Sequence, residues 1–179
     1  MLIEHARSQL VLIDVQEKLL PAMADPAAVT RQMGILLAAA RAMKVPIIAS
    51  EQYPAGLGPT VPEIAAQLQR DEIVTKTEFS CYANPALGSR LETGPGQLIL
   101  AGIEAHVCVL QTALDLLKAD RTVFIVADAI SSRHPDSKTI ALQRLAGAGA
   151  IIVTAEMVLF EWLRRSDRPE FKAVSRLIR

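Results

Sequence analysis

The sequence predicts an α/β domain in which a parallel sheet of six strands is covered by helices on both faces. Three observations predict it. Six short apolar runs recur along the 179 residues, each of strand rather than helix length. Segments with apolar positions at helical spacing stand between most of them. Gly, Pro and charged residues punctuate the changes from one kind of segment to the other.

Ser8 to Val15 (SQLVLIDV) reads as the first strand. A helix follows from about Ala27 to Met43, and Val45 to Ser50 (VPIIAS) is the second strand, with Pro46 at its start, where proline is tolerated. Pro54 to Pro62 is rich in Gly and Pro and reads as a loop; Pro62 to Leu68 reads as a short helix. Glu72 to Thr75 is a short third strand, and Gln97 to Gly102 a fourth, after the turn signal Gly94-Pro95-Gly96. Ala105 to Ala119 is helical and Thr122 to Ala127 is the fifth strand. Pro135 suits the first turn of a helix running to Ala148. Ala150 to Thr154 is the sixth strand, and Glu156 to Arg164 and Glu170 to Leu177 are closing helices.

A chain of this length is expected to form one domain, residues 1–179, with a core large enough to need no disulfide. Apolar residues make up 51% and charged residues 21%, which excludes a disordered chain. The formal net charge is zero, so no nucleic-acid partner is expected. No basic stretch followed by an apolar run opens the chain, and no apolar run reaches membrane-spanning length. The expectation is a cytoplasmic protein with two reduced thiols and no membrane partner.

In open α/β sheets ligands bind beyond the carboxyl ends of the strands. Asp14 stands at the end of the first strand, Glu51, Gln52 and Tyr53 after the second, Lys76 after the third, and Glu104 to Cys108 after the fourth. An acid, a cation and a thiol are thereby expected on one rim. Cys108 at a helix N-terminus is placed to be a nucleophile, its thiolate favoured by the helix dipole. The plain alternative is a small buried residue, since free cysteine often is. Asp14 is placed to be its base; the alternative is a helix cap. Lys76 is placed to hold Asp14 ionised; the alternative is a solvated lysine.

These segments resemble the isochorismatase-like cysteine hydrolases, which include nicotinamidases and N-carbamoylsarcosine amidohydrolase. The match is carried in order by LVLIDVQEKLLP with Asp14, TKTEFSCY with Lys76 and LAGIEAHVCVLQTALDLL with Cys108. IIASEQYPAGLGPTVPEI and FIVADAISSR resemble one subgroup, the isochorismatase-domain proteins, many of unassigned substrate. The resemblance implies a three-layer αβα sandwich and an Asp14-Lys76-Cys108 triad. In that triad Asp14 moves protons, Lys76 lowers the thiol pKa and Cys108 forms a thioester-type intermediate. It further implies an oxyanion hole made by the main-chain N–H groups of Glu104 and Cys108, and a cis Ile103–Glu104 peptide. Nicotinamidases hold a metal with an Asp and two His after the second strand. SEQYPAGLG has no His there, so no metal and no other cofactor is expected. The isochorismatases proper lack the cysteine that this chain keeps.

Gln16, Glu51, Gln52, Tyr53 and Phe79 are expected substrate contacts, each with a structural alternative. Cys81 reads as incidental, His106 as a surface residue and Asp128 as a brace for the loop after the fifth strand. The reading is a hydrolase that cleaves a C–N bond of a small amide or related acyl compound. The alternative is a non-catalytic member that binds a metabolite or partner. A homo-oligomer, dimer or tetramer, is expected, with Val158 to Leu163 (VLFEWL) as one candidate interface.

Overall fold

A computed structural model describes residues 1–178; Arg179, the last residue of the expected domain, lies outside the described residues. Strand β1 (Ser8–Ile13) leads through helix α1 (Pro26–Met43) to β2 (Ile47–Gln52). Two single-turn helices, α2 (Pro54–Leu57) and α3 (Pro62–Ala65), precede β3 (Ile73–Lys76) and α4 (Pro85–Thr93). Then come β4 (Gln97–Ile103), a π-helical turn (Ala105–Val109), α5 (Leu110–Lys118) and β5 (Thr122–Ser131). Helix α6 (Pro135–Gly147), β6 (Ile151–Val153), α7 (Ala155–Leu163) and α8 (Phe171–Ser175) complete the chain.

The six strands pair in parallel in the order β3-β2-β1-β4-β5-β6. Successive strand residues point to opposite faces, and the two cores separate on that alternation. Leu10, Leu12, Ile99, Ala101, Phe124 and Val126 pack with α1 and α7. Val11, Ile13, Leu98, Leu100, Val123 and Ile125 pack against α4, α5 and α6. This is the three-layer αβα sandwich that the sequence predicts.

Helix α1 starts where Asp25 accepts from the Ala28 N–H and Pro26 takes the first position. Helix α4 is the one full helix absent from the sequence reading. Asn84 caps it by accepting from the Leu87 N–H, with Pro85 next in line. Strand β5 runs further than expected because its register shifts against β4 between Leu100 and Gly102, and pairing resumes at Ile130 and Ser131. On α7, Val158, Leu159, Trp162 and Leu163 are buried in the protein's own core, whereas Met157 and Phe160 face outward. Of the candidate interface Val158 to Leu163, the exposed large apolar side chain is thus Phe160, with Met157 just before the segment. No helix among the described residues is long and apolar enough to cross a membrane.

The chain builds outward from β1 to β3, then returns to place β4 on the other side of β1. The crevice between β1 and β4 is therefore the switch point where ligands are expected. Gly102 permits the two strands to close up there. Its φ is +122°, and a Cβ on it would stand 2.1 Å from the Ile13 carbonyl oxygen.

Candidate active site

Asp14 is the first residue past β1 and adopts a left-handed backbone, φ 54°, a conformation that Asp tolerates better than most residues. Its N–H donates to the Ser50 carbonyl at 3.1 Å, and its side chain is fully buried. Both carboxylate oxygens are engaged: Ser50 Oγ donates to Oδ1 at 2.7 Å and Lys76 Nζ donates to Oδ2 at 2.7 Å.

Lys76 ends β3, on the edge of the sheet, and reaches across β2 to Asp14. Its ammonium also donates to Gln52 Oε1 (2.7 Å) and to the carbonyls of Glu78 (3.2 Å) and Phe79 (3.3 Å). Burial is the largest single influence and by itself would lower the lysine pKa; the charge and hydrogen bond of Asp14, together with the nearby Cys81 and Cys108, outweigh it, and the net direction is upward.

Cys108 stands in the π-helical turn after β4 and is only 5% exposed. Burial pushes its thiol above the ordinary cysteine range, and the charge and hydrogen bonding of Asp14 push it further; Lys76 opposes this but does not win. Burial and the Asp14 charge thus work against the thiolate that the helix position favours, and a carboxylate stands beside the thiol to receive its proton. Structure therefore brings Asp14, Lys76 and Cys108 together.

The Ile103–Glu104 peptide is cis. The Glu104 carbonyl accepts from the N–H groups of Val107 and Val109, which sets the turn around Cys108. The Glu104 carboxylate is buried and clasped by Arg133, through Nη2 at 2.7 Å, Nε at 3.2 Å and the main-chain N–H at 3.0 Å. His106 Nδ1 lies 2.9 Å from Ser132 Oγ and 3.9 Å from Glu104 Oε2, so the histidine is half-buried at the rim rather than free on the surface. Arg133 had no place in the sequence reading, although it closes the quoted FIVADAISSR segment.

Burial, the largest single influence, acts to raise the Glu104 pKa, but the Arg133 hydrogen bonds and the nearby positive charge together outweigh it and hold the carboxyl below its usual range. The stability this lends is complete above about pH 4.3, the unfolded value, and is lost as pH falls through the depressed native one. Glu104→Gln is expected to flatten that acid limb. Fluorescence of the single buried Trp162, followed through acid titrations of both proteins, would measure it.

Two expected substrate contacts have other uses in the structure. Gln16 is fully buried; its Nε2 donates to the carbonyls of Gln52 (2.9 Å) and Gly58 (2.7 Å), and its Oε1 accepts from the Gln52 N–H (2.8 Å). Glu51 is buried and accepts from Thr60 N–H (2.7 Å) and Thr60 Oγ1 (2.8 Å). Both side chains brace the segment after β2. The alternation argument identifies their faces but not their partners. Gln52 holds Lys76 and donates to the Thr77 carbonyl at 2.8 Å. Tyr53 and Phe79 are both more than half exposed and stay available as walls for an arriving molecule. Cys81 is not incidental in position: it is fully buried and its Sγ lies 3.5 Å from Ser50 Oγ. Asp128 accepts from the Ala155 N–H at 2.8 Å, bracing the start of α7. Among the described residues no cluster of three or more His, Cys, Asp or Glu is arranged to hold a metal ion.

The family model described as the isochorismatase domain matches residues 8–157. Isochorismatase domain-containing protein 2A of Mus musculus is 42% identical over 175 residues, which are 96% of this chain and 82% of that protein. The structure of MAR1 ribonuclease from Caenorhabditis elegans superposes with a TM-score of 0.94 at 38% identity, covering 99% of this chain and 92% of that one. The YcaC gene product of Escherichia coli, an octameric hydrolase of unknown specificity, superposes with a TM-score of 0.93 at 26% identity, covering 99% and 89%.

Proposed function

Because the chain belongs to the isochorismatase domain family, we propose that it is a cysteine hydrolase that cleaves a C–N bond in a small amide or related acyl compound. One observation carries this reading: a buried carboxylate, held by Lys76 at 2.7 Å, beside the Cys108 thiol at the switch point of the sheet. The near-complete burial of all three groups suits a small acyl group, with Tyr53 and Phe79 at the exposed approach.

Asp14 takes the thiol proton as sulfur attacks the carbonyl carbon. The main-chain N–H groups of Glu104 and Cys108 receive the oxyanion. Asp14 returns the proton to the leaving nitrogen as the C–N bond breaks, and the acyl group stays on sulfur as a thioester. Asp14 then takes a proton from water, whose oxygen attacks the thioester. The carboxylic acid departs, and the proton goes back to sulfur. Lys76 holds the carboxylate in place throughout. No cofactor or metal enters these steps. The protein acts as a homo-oligomer in the cytoplasm, with Met157 and Phe160 available for contact between copies; the octameric neighbour supports self-association.

Ammonia release from a panel of small uncharged amides tests this reading, with turnover quenched for intact-mass and peptide mass spectrometry. Turnover by the native protein, an acyl adduct on Cys108, and loss of at least ~100-fold in Cys108→Ala and Asp14→Asn are expected. Amide turnover that survives Cys108→Ala would sink the mechanism. No adduct and no turnover would favour the binding-protein reading instead. RNA cleavage, read separately by gel electrophoresis, is tested beside the amides because the Caenorhabditis elegans neighbour is named a ribonuclease. The zero net charge of this chain argues against a polyanionic substrate.

A further inference from the structure

Ser50 takes no part in the chemistry above, yet it occupies the carboxylate oxygen that Lys76 leaves open. It lies near the C-terminal end of β2, in register with Ile13, and is 1% exposed. Its Oγ donates to Asp14 Oδ1 at 2.7 Å. Behind it the Cys81 thiol donates to the same Oγ at 3.5 Å, and Thr112 Oγ1 fixes the Cys81 main-chain N–H at 2.8 Å. A hydroxyl carries one hydrogen and two acceptor sites. With a buried S–H supplying a hydrogen to Oγ, the hydroxyl's own hydrogen is committed to Asp14. Burial, and then the charge of Asp14, push the Cys81 thiol up, so that it remains a donor. The hydrogen bonds therefore run one way, from Cys81 through Ser50 to Asp14.

We infer that Ser50 is a positioning residue whose hydroxyl, oriented by Cys81, fixes the Asp14 carboxylate and restrains its affinity for the Cys108 proton. The inference rests on the Asp14–Cys108 reading above. A carboxylate that bound the proton too firmly would hold it back from the leaving nitrogen. The titratable groups that bear on this site are Lys76 from β3, Cys81 from the loop after it and Cys108 from the turn after β4. Glu51, the neighbour of Ser50 on β2, is turned away to Thr60.

The test is the pH profile of Cys108 alkylation by iodoacetamide, with Cys81 read separately by peptide mass spectrometry. The native profile is expected to rise through an acid limb, where the Asp14–Cys108 pair loses its first proton, to a neutral plateau. Losing one hydrogen bond to a charged group is expected to move that limb in Ser50→Ala up by about one pH unit. The plateau rises by up to ~10-fold in the same variant, because more of the pair then exists as thiolate and carboxylic acid. Ser50→Thr restores both. Cys81→Ala moves the limb the same way by less, and Cys81→Ser leaves it in place, so the idea stays testable should Ser50→Ala fail to fold. A limb that stays put in Ser50→Ala and in Cys81→Ala, with or without a lower rate, assigns these residues a structural role and overturns the inference. Asp14→Asn is expected to abolish the limb. If it does not, the reading of Asp14 and Cys108 fails, and this inference with it.

Discussion

Replacing Lys76 by methionine is expected to cost about 3–5 kcal/mol of folding stability, the usual penalty for removing one partner of a buried ion pair. Methionine matches the length of the stem but leaves the Asp14 carboxylate buried with Ser50 and the Cys108 thiol as its remaining side-chain donors. It also strands Gln52 Oε1 and the carbonyls of Glu78 and Phe79, which share the ammonium. Urea unfolding at neutral pH measures the loss, and a change under about 1 kcal/mol would show that the pair is solvated in solution. The pH dependence has a definite sign. Burial opposes the charged lysine most strongly, but Asp14 together with the nearby Cys81 and Cys108 prevails and the native pKa is raised. The stability tied to it is therefore complete below the unfolded value of about 10.4, and is lost as pH rises through the native value. The methionine variant lacks this alkaline limb.

Gly102→Ala is expected to cost about 2–5 kcal/mol, combining left-handed strain with overpacking against main chain. The new methyl would meet the Ile13 carbonyl oxygen at 2.1 Å and the Ile13 nitrogen at 2.5 Å. Neither atom belongs to a side chain that can swing aside. Strands β1 and β4 must part where Asp14 and the turn bearing Cys108 emerge. The same substitution is therefore expected to suppress Asp14-dependent alkylation of Cys108 even where the protein still folds. Full stability in urea together with a native alkylation profile would mean that the strands separate at no cost.

The six parallel strands and the placing of Asp14 and Lys76 at strand ends were legible for one reason. Parallel strands buried on both faces read as apolar runs, and a charged or nucleophilic residue at the end of such a run stands out. Asp14 and Lys76 are conspicuous in VLIDVQ and VTKTEF on that ground. Helix α4 was legible in principle, since Asn84-Pro85 is a cap followed by a first-turn proline, with Leu87 and Leu91 four apart. Its small amphipathic stripe on nine residues is a weak signal beside the Gly94-Pro95-Gly96 turn. Gln16 and Glu51 show where alternation stops helping: it assigns a face, whereas their partners Gly58 and Thr60 depend on how a loop folds back. Ser50 carried no signal, because a serine in an apolar strand is chemically ordinary until its neighbour is known. The upward pull on the thiol pKa is not legible in sequence, because local position argues for the helix dipole, while burial and the Asp14 charge arise only on folding.

Strand β3 has four residues and forms one border of the sheet. Such a border offers unpaired main-chain groups to any passing strand, and proteins protect it by keeping it short or anchoring it. Here the anchor is Lys76, whose ammonium is tied down at Asp14 beside the centre of the sheet. One ion pair thus serves both as a component of the proposed chemistry and as a guard against edge-to-edge aggregation. A variant stripped of the proposed reaction by losing Lys76 would still need some other means of pinning its outermost strand.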